Sequence, residues 1–569
     1  MNLSALMITL NTPLGPASEE TLMFESLSAS EELGRLFSMD ITALSTKATH
    51  DPLDMLGKDV SVALELQDDS KRYLHGHVTS FGLAGVSSGF FQYRMTVQPW
   101  LMFLARRANN RIFQEKSVKD ILEVIFNECP ASPKFRFQLS QAHPVWEYCV
   151  QYRETDFNFV SRLMEQEGIY YYFEHTADGH TMVLVDSVDS HEPCAGSCSS
   201  IPFVLQSGSS GLMETEYINH WQLTNSLQPG KTTIRDYDFK KSKQLLEGTL
   251  SNAIVAPDGE MEIYDFPGDF LVNGEGRQYA RIRLEELQSQ HLRVQGGGTA
   301  RGIACGHTFE LTDHPRDDQN IKHLVLSTHL QCRLSAHEAG GGGDTHVSCS
   351  FTAAPASTPF RPQRITPKTF VQGPQTAVVV GPAGEEIHCD EFGRVKVQFF
   401  WDREGQKDDK SSCWIRVSHP WAGKGWGAIS IPRIGQEVIV DFIEGDPDHP
   451  IITGRVYNDD QTVPFSLPGQ KVVSGIKSNT HKGSGYNELS MDDTAGKEKI
   501  NIHAQYDMIT VVEHDDTQTV HNARVIKVDA THTETITGNT SITIESGTFN
   551  HDVAGNTATY HISTDLTEN

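Results

Sequence analysis

The stretch TQTVHNARVIKVDATHTETITGNTSITIES, residues 517–546, has no helical stripe and too few apolar residues to enclose a core of its own. A large aliphatic residue nevertheless returns at every eighth position across it and its N-terminal flank, at Val512, Val520, Val528, Ile536 and Ile544. The residues between are mostly Thr, Asn, His, Asp and Glu. Successive strand side chains point to opposite faces, so an octet holding a strand of about five residues and a turn leaves one oily side uncovered. Three copies around a threefold axis supply the cover. Each forms one wall of a prism, with those five residues directed at the axis and the strand edges pairing between chains. Meander strands and a disordered tail are the competing readings of a Thr-rich segment; the constancy of the spacing favours the prism. After Ile544 the register slips by one to Val553, with Gly555 behind it.

Outward from this segment, the whole chain of 569 residues exceeds what one core usually serves, so several domains are expected. Thr, Val, Ser and Gly recur in short runs between turn residues, which favours strands and a mainly β fold. The net charge of -27 argues against nucleic-acid binding, because that mode draws its affinity from Lys and Arg displacing counterions. Residues 500–569 hold ten Asp or Glu against Arg524 and Lys527, so a partner there must tolerate negative charge. Nine scattered cysteines, an odd number, read as reduced thiols rather than a disulfide framework. The start lacks a basic n-region and a clean apolar h-region, and no run of about 18 apolar residues follows. Neither a signal peptide nor a membrane span is indicated, so export would use another route.

The first 375 residues read as strands with two clear helices. In SVKDILEVIFNECP, Ser117 caps the first turn with Asp120, and Val118, Ile121, Leu122, Ile125 and Phe126 share one face before Pro130 stops the helix. In TDFNFVSRLMEQEG, Thr155 is the cap, Phe159, Val160, Leu163 and Met164 form the buried stripe, and Gly168 suits the left-handed position after the end. A strand at 169–173 follows. DVSVALELQ and TFELTDHP alternate with the period of half-buried strands. The glycine run 340–343 reads as a loop tip, and the Pro-rich segment behind it as extended. From 376 to 458, GRVKVQFF, SCWIRVSHP, GAISIP, QEVIVDFIEGD and PIITGRVYN are five short strands, which fits a small closed barrel of OB type. A connector, 459–490, leads to the repeat region, 491–569.

At this point the chain resembles a known family. EELGRLFSMDI, NNRIFQEKSVKDIL, YRETDFNFVSRLMEQEGIYYYFEH, CGHTFELTDHP, DEFGRVKVQFFWDREG and WAGKGWGAISIPRIGQEVIVDFIEGDPDHPIITGRVYN, in this order, are similar to the valine-glycine repeat (VgrG) spike proteins of bacterial type VI secretion, relatives of the hub and spike of contractile phage tails. The resemblance implies a homotrimer. Its N-terminal part would be a phage-hub-like set of β-barrel domains facing a sixfold secretion tube, its OB barrels a neck, and its repeats an intertwined triple-stranded β-helix. It further implies a PAAR-repeat tip protein held at Asp565, Leu566, Thr567, Glu568 and Asn569, effector or adaptor partners, and puncture of a target membrane. Assembly would take place in the bacterial cytoplasm and be followed by secretion. The repeat's glycine is largely missing: Gly538 and Gly555 remain, while Asn522, Ala530 and Ser546 hold the equivalent places. Some members of that family carry a C-terminal effector, and none is expected within the residues up to Asn569.

No catalytic group, cofactor or metal site is expected. The phage relatives insert a cell-wall-cleaving domain between barrel and needle, and a connector of 459–490 is too short for one. In HEPCAGSC, His191, Cys194 and Cys198 match no common zinc spacing and read as a solvent loop. GDPDHP, with Asp446, Asp448 and His449, reads as a turn between barrel strands rather than an acid–base pair. Gly296, Gly298 and Gly302 make only a partial phosphate-loop pattern and also read as loop. His503, His514, His521, His532, His551 and His561 are placed on the outer walls of the needle. The expected function is therefore mechanical: a puncturing spike that needs rigidity. The alternatives are the spike of a contractile phage tail or extracellular injection particle, a hydrolytic effector, which would need a further domain, and a nucleic-acid-binding OB protein, which the charge opposes.

Overall fold

The computed structural model describes residues 8–205, 216–252, 261–334 and 345–564, which separate into two compact units. The first comprises residues up to 473 with 481–483, the second 474–480 and residues from 484 onward. The glycine run 340–343 lies outside the described residues.

Period-two patterning builds the first unit. In Ser38–Ser45, Met39, Ile41 and Ala43 are buried while Asp40 between them is exposed. Among the described residues, twelve strands join one sheet. Its main path runs Ile8–Asn11, Asp59–Glu65, Lys71–Ser87, Phe90–Gln98, Ser38–Ser45, Met23–Glu32, Lys322–Leu334, Thr345–Pro355, Leu292–Gly298, Ile218–Asn225. The central pairing sets Glu32 opposite Ser327 and Ser26 opposite Arg333, so segments distant in sequence close one hub.

Helix α1, Val118–Asn127, has the capping box expected of it: Ser117 Oγ accepts from Asp120 N, and Asp120 Oδ2 accepts from Ser117 N at 2.9 Å. Its buried residues are Val118, Ile121, Leu122, Ile125 and Phe126. Helix α2, Asp156–Glu167, starts at the Thr155 cap and ends on Gly168 in the left-handed region. Tyr170–Thr176 then pairs with Gly179–Val185. A third helix, α3, Asn273–Gln288, was not among the two expected. Val272 at its N-cap makes no side-chain cap bond, and Gly274 and Gly276 occupy its first turn, so the usual start signals are missing. It is held by packing of Tyr279, Ala280 and Ile282 with Ile234, Leu246 and Phe270.

The barrel sheet has the order Lys396–Phe399, Gln375–Val380, Glu437–Phe442, Pro450–Val456, Arg416–Val417. A bridge between Val395 and Ile415, with N···O distances of 3.0 and 2.8 Å, joins its two edges. Ala377, Val379, Val395, Val397, Phe399, Ile415, Val438, Val440 and Ile452 fill the interior. Four of the five expected strands are present. The fifth is Gln375–Val380, not GAISIP, which contributes only Gly427–Ala428 to a two-residue hairpin with Trp421–Ala422. All nine cysteines are free thiols.

Candidate trimerisation surface and buried polar clusters

The second unit opens with a sheet of Val473–Lys477, Glu488–Asp492 and Lys499–His503. One face of it carries Leu489 opposite Ile502 and Met491 opposite Ile500, and all four are exposed. Residues 504–564 form no strand inside a single chain. Across this segment Val512, Val520, Val528, Ile536 and Ile544 are 46–52% exposed, whereas Ile509, Val511, Val525, Ile526 and Ile542 are 63–87% exposed. The same half-shielded state continues at Val553 and Ile562, each nine residues on. One chain thus distinguishes a single aliphatic register but cannot cover it, and that uncovered area is what association would remove from water.

His514, His521, His532, His551 and His561 are exposed. His503 is half-buried, stacked on Tyr486 at 4.5 Å with its Nδ1 3.0 Å from the Tyr486 carbonyl. The sequence-assigned tip residues Asp565, Leu566, Thr567, Glu568 and Asn569 lie outside the described residues.

Two expectations for the first unit are revised. HEPCAGSC is not a solvent loop: His191, Cys194 and Cys198 are buried. His191 bridges the Tyr170 hydroxyl at 2.9 Å and the Gly306 carbonyl at 2.7 Å, while Cys198 lies 3.0 Å from Glu216, so His191 and Cys198 serve different partners. Apolar packing against the hub core, invisible in eight residues of sequence, draws the segment inward. Gly296 and Gly298 are not loop but strand Leu292–Gly298. A Cβ on Gly296 would sit 2.2 Å from the Phe351 ring, so the glycine is there to admit an aromatic from the neighbouring strand.

GDPDHP is the expected turn, and it also makes an ionic bolt. Lys368 Nζ lies 2.6 Å from Asp446, 3.0 Å from Asp448 and 3.6 Å from Asp269. Asp448 also accepts the Val150 amide at 2.6 Å, tying the barrel turn to the hub. Burial works against the Lys368 charge, but Asp448, Asp269 and Asp446 outweigh it and hold the ammonium well above its usual range. Asp269, Asp446 and His449 offer ligand atoms within 4.8 Å of one another, yet Lys368 already supplies the cation they would bind.

Two clusters were not foreseen. His75, His175 and His180 gather with His77 around Phe37 and Phe103. The Trp100 amide donates to His180 Nε2 at 3.0 Å, which places that ring's proton on Nδ1, 3.0 Å from His75 Nδ1. Burial, reinforced by the neighbouring imidazoles, holds His180 at about 2; burial likewise holds His75 at about 4. The second cluster centres on His143, whose Nδ1 lies 2.7 Å from Glu167 and Nε2 3.3 Å from Asp186. Burial opposes its charge, but the bonds to Asp186 and Glu167 raise it to about 9. Tyr279 of α3 donates to Glu167 at 2.7 Å, so this ion cluster joins α2, α3 and the hairpin end. The pairing of His175 with His180 across a tight hairpin was the local signal available for the first cluster.

A β hub, a closed barrel and an acidic segment whose apolar register has no cover in one chain define a phage-tail-like hub-and-spike protein. Residues 30–335 match the family model "Phage tail baseplate hub (GPD)", residues 377–457 "Type VI secretion system/phage-baseplate injector OB domain", and residues 474–569 "Bacteriophage T4 gp5 C-terminal trimerisation domain". Type VI secretion system spike protein VgrG1c of Pseudomonas aeruginosa is 44% identical over 528 residues, covering 92% of this chain and 72% of that protein. The chain belongs to the VgrG family of type VI secretion spike proteins. Another relative, "Actin cross-linking toxin VgrG1" of Vibrio cholerae, is 35% identical over 528 residues, and the match covers 92% of this chain and 48% of that protein. A solved E. coli structure, the c3393 protein, described as a type VI component similar to phage T4 tail proteins gp27 and gp5, shares the fold at a TM-score of 0.56 and 21% identity. That match covers 79% of this chain and 99% of that one. The trimerisation match supports a homotrimer.

Proposed function

We propose that three copies of the chain form a puncturing spike, with 1–375 as the hub, 376–458 as the neck, 459–490 as a connector and 491–569 as a β-helix needle. Val512, Val520, Val528, Ile536 and Ile544 face its axis. The hub docks on the sixfold secretion tube, residues 565–569 carry a PAAR-repeat tip protein, and effectors or adaptors travel with the assembly from the bacterial cytoplasm into the target. The work is mechanical, and no residue of the chain needs to do chemistry. The observation that carries this reading is the half-shielded aliphatic register in a segment that matches a trimerisation domain.

Native mass spectrometry tests it: three chains of 63.2 kDa give a particle of about 190 kDa. Solution scattering should return an elongated shape. A monomer at micromolar concentration would overturn the assignment.

A further inference from the structure

Residues 421–430, WAGKGWGAIS, are ten consecutive exposed residues on the barrel, and they include Trp421, Trp426 and Ile429. Large aromatics carry much apolar area and are seldom left in water without a partner. This hairpin is nonetheless built rather than loose. Trp421 pairs with Ala428 and Ala422 with Gly427, and Gly423 N donates to Trp426 O at 2.9 Å. The two indoles meet edge to face, with centroids 5.1 Å apart at 78°. A Cβ on Gly423 would fall 2.3 Å from the Trp426 ring, and Gly427, at φ +137°, would place one 2.4 Å from the Trp421 carbonyl. Both glycines are therefore needed to fold the tryptophans into one projecting knob.

Charge and chain path indicate what covers it. Residues 410–436 carry Lys410, Arg416, Lys424 and Arg433 and no Asp or Glu, within a chain of net charge -27. The partner best matched to a basic, aromatic knob is an acidic one, and each further copy of this chain carries a net charge of -27. The root of the hairpin is also fastened to the strand leading toward the trimerisation segment. Arg455, in Pro450–Val456, donates to the Ser430 carbonyl and hydroxyl, and the trimerisation match begins at residue 474.

We infer that the 421–430 hairpin is an inter-subunit clasp whose Trp421–Trp426 edge and Ile429 seat on the barrel of a second copy of the chain. This rests on the trimeric reading above. Rigid aromatics held in place before contact make such a knob an economical anchor, since little side-chain freedom is lost on docking.

The test uses the full chain with the photoreactive residue p-benzoylphenylalanine in place of Trp426, and separately in place of Lys424, which guards against a folding defect at 426. Illumination of the purified protein should give covalent dimers and trimers on denaturing gels. Mixed isotope-labelled and unlabelled chains should show the linked peptides to come from different copies. A particle of three copies with only intrachain links, or with links solely to another cellular protein, overturns the clasp and leaves the trimer standing. A monomeric particle overturns the trimer itself.

Discussion

His180 and His75 meet through their Nδ1 atoms at 3.0 Å, and the Trp100 amide fixes the far nitrogen of His180. Neither ring can take a second proton without losing one of these bonds. Both folded-state values are depressed, to about 2 and about 4, so their stabilisation is complete above the ordinary imidazole value near 6.5 and is lost as pH falls below it. At pH 5 each ring is neutral in the fold and protonated when unfolded, a cost of about 2 kcal/mol per ring. The hub's thermal midpoint should therefore drop between pH 7 and pH 5, and His180→Gln should shrink that drop. An acid limb equally steep in the variant would refute the assignment.

His143 titrates in the opposite sense. Its folded value is raised to about 9, so its contribution is complete below about 6.5 and disappears as pH rises through 9. The shift corresponds to about 3 kcal/mol. His143→Gln should leave Glu167 and Asp186 without their shared cation, lower the midpoint at pH 7, and abolish the alkaline fall between pH 7 and pH 10. Thermal melts at those two pH values decide it.

These clusters mark where sequence reading stops. Local chemistry was enough for α1 and α2, because Ser117, Thr155 and Gly168 act on backbone groups within a few residues of themselves. It was not enough for α3, whose start has no cap, or for GAISIP, whose alternating pattern became a two-residue hairpin exposed to solvent. The polar clusters are tertiary. His75 and His180 lie 105 positions apart, and nothing in LHGHV announces its partner in DGHT. The aliphatic octet was legible because its signal is periodic, and a period survives even where one chain supplies no neighbour.

Lys368 holds three carboxylates that would otherwise repel one another. Lys368→Met should cost about 3 kcal/mol, because removing one partner of a largely buried ion cluster strands the others. It would also leave Asp269, Asp446 and His449 as a vacant ligand set, with atoms within 4.8 Å. Zinc should therefore raise the melting temperature of the variant and leave that of the parent unchanged. Equal responses in both proteins would show that the lysine does not occupy this place.

The needle register yields the last expectation. Val528 and Ile536 belong to the set that is half-shielded in one chain, whereas Val525 and Ile542 are among the most exposed residues of the segment. If the first set faces a threefold axis, Val528→Asp with Ile536→Asp brings three carboxylates together at each of two levels in a dry interior, a burden no hydrogen bond there relieves. The same exchange at Val525 and Ile542 leaves every charge in water. Native mass should then fall from three chains to one for the first double variant only, while circular dichroism still shows a folded hub, since the hub core uses none of these residues. Loss of the trimer in both variants, or in neither, would mean that the octet does not define the axis.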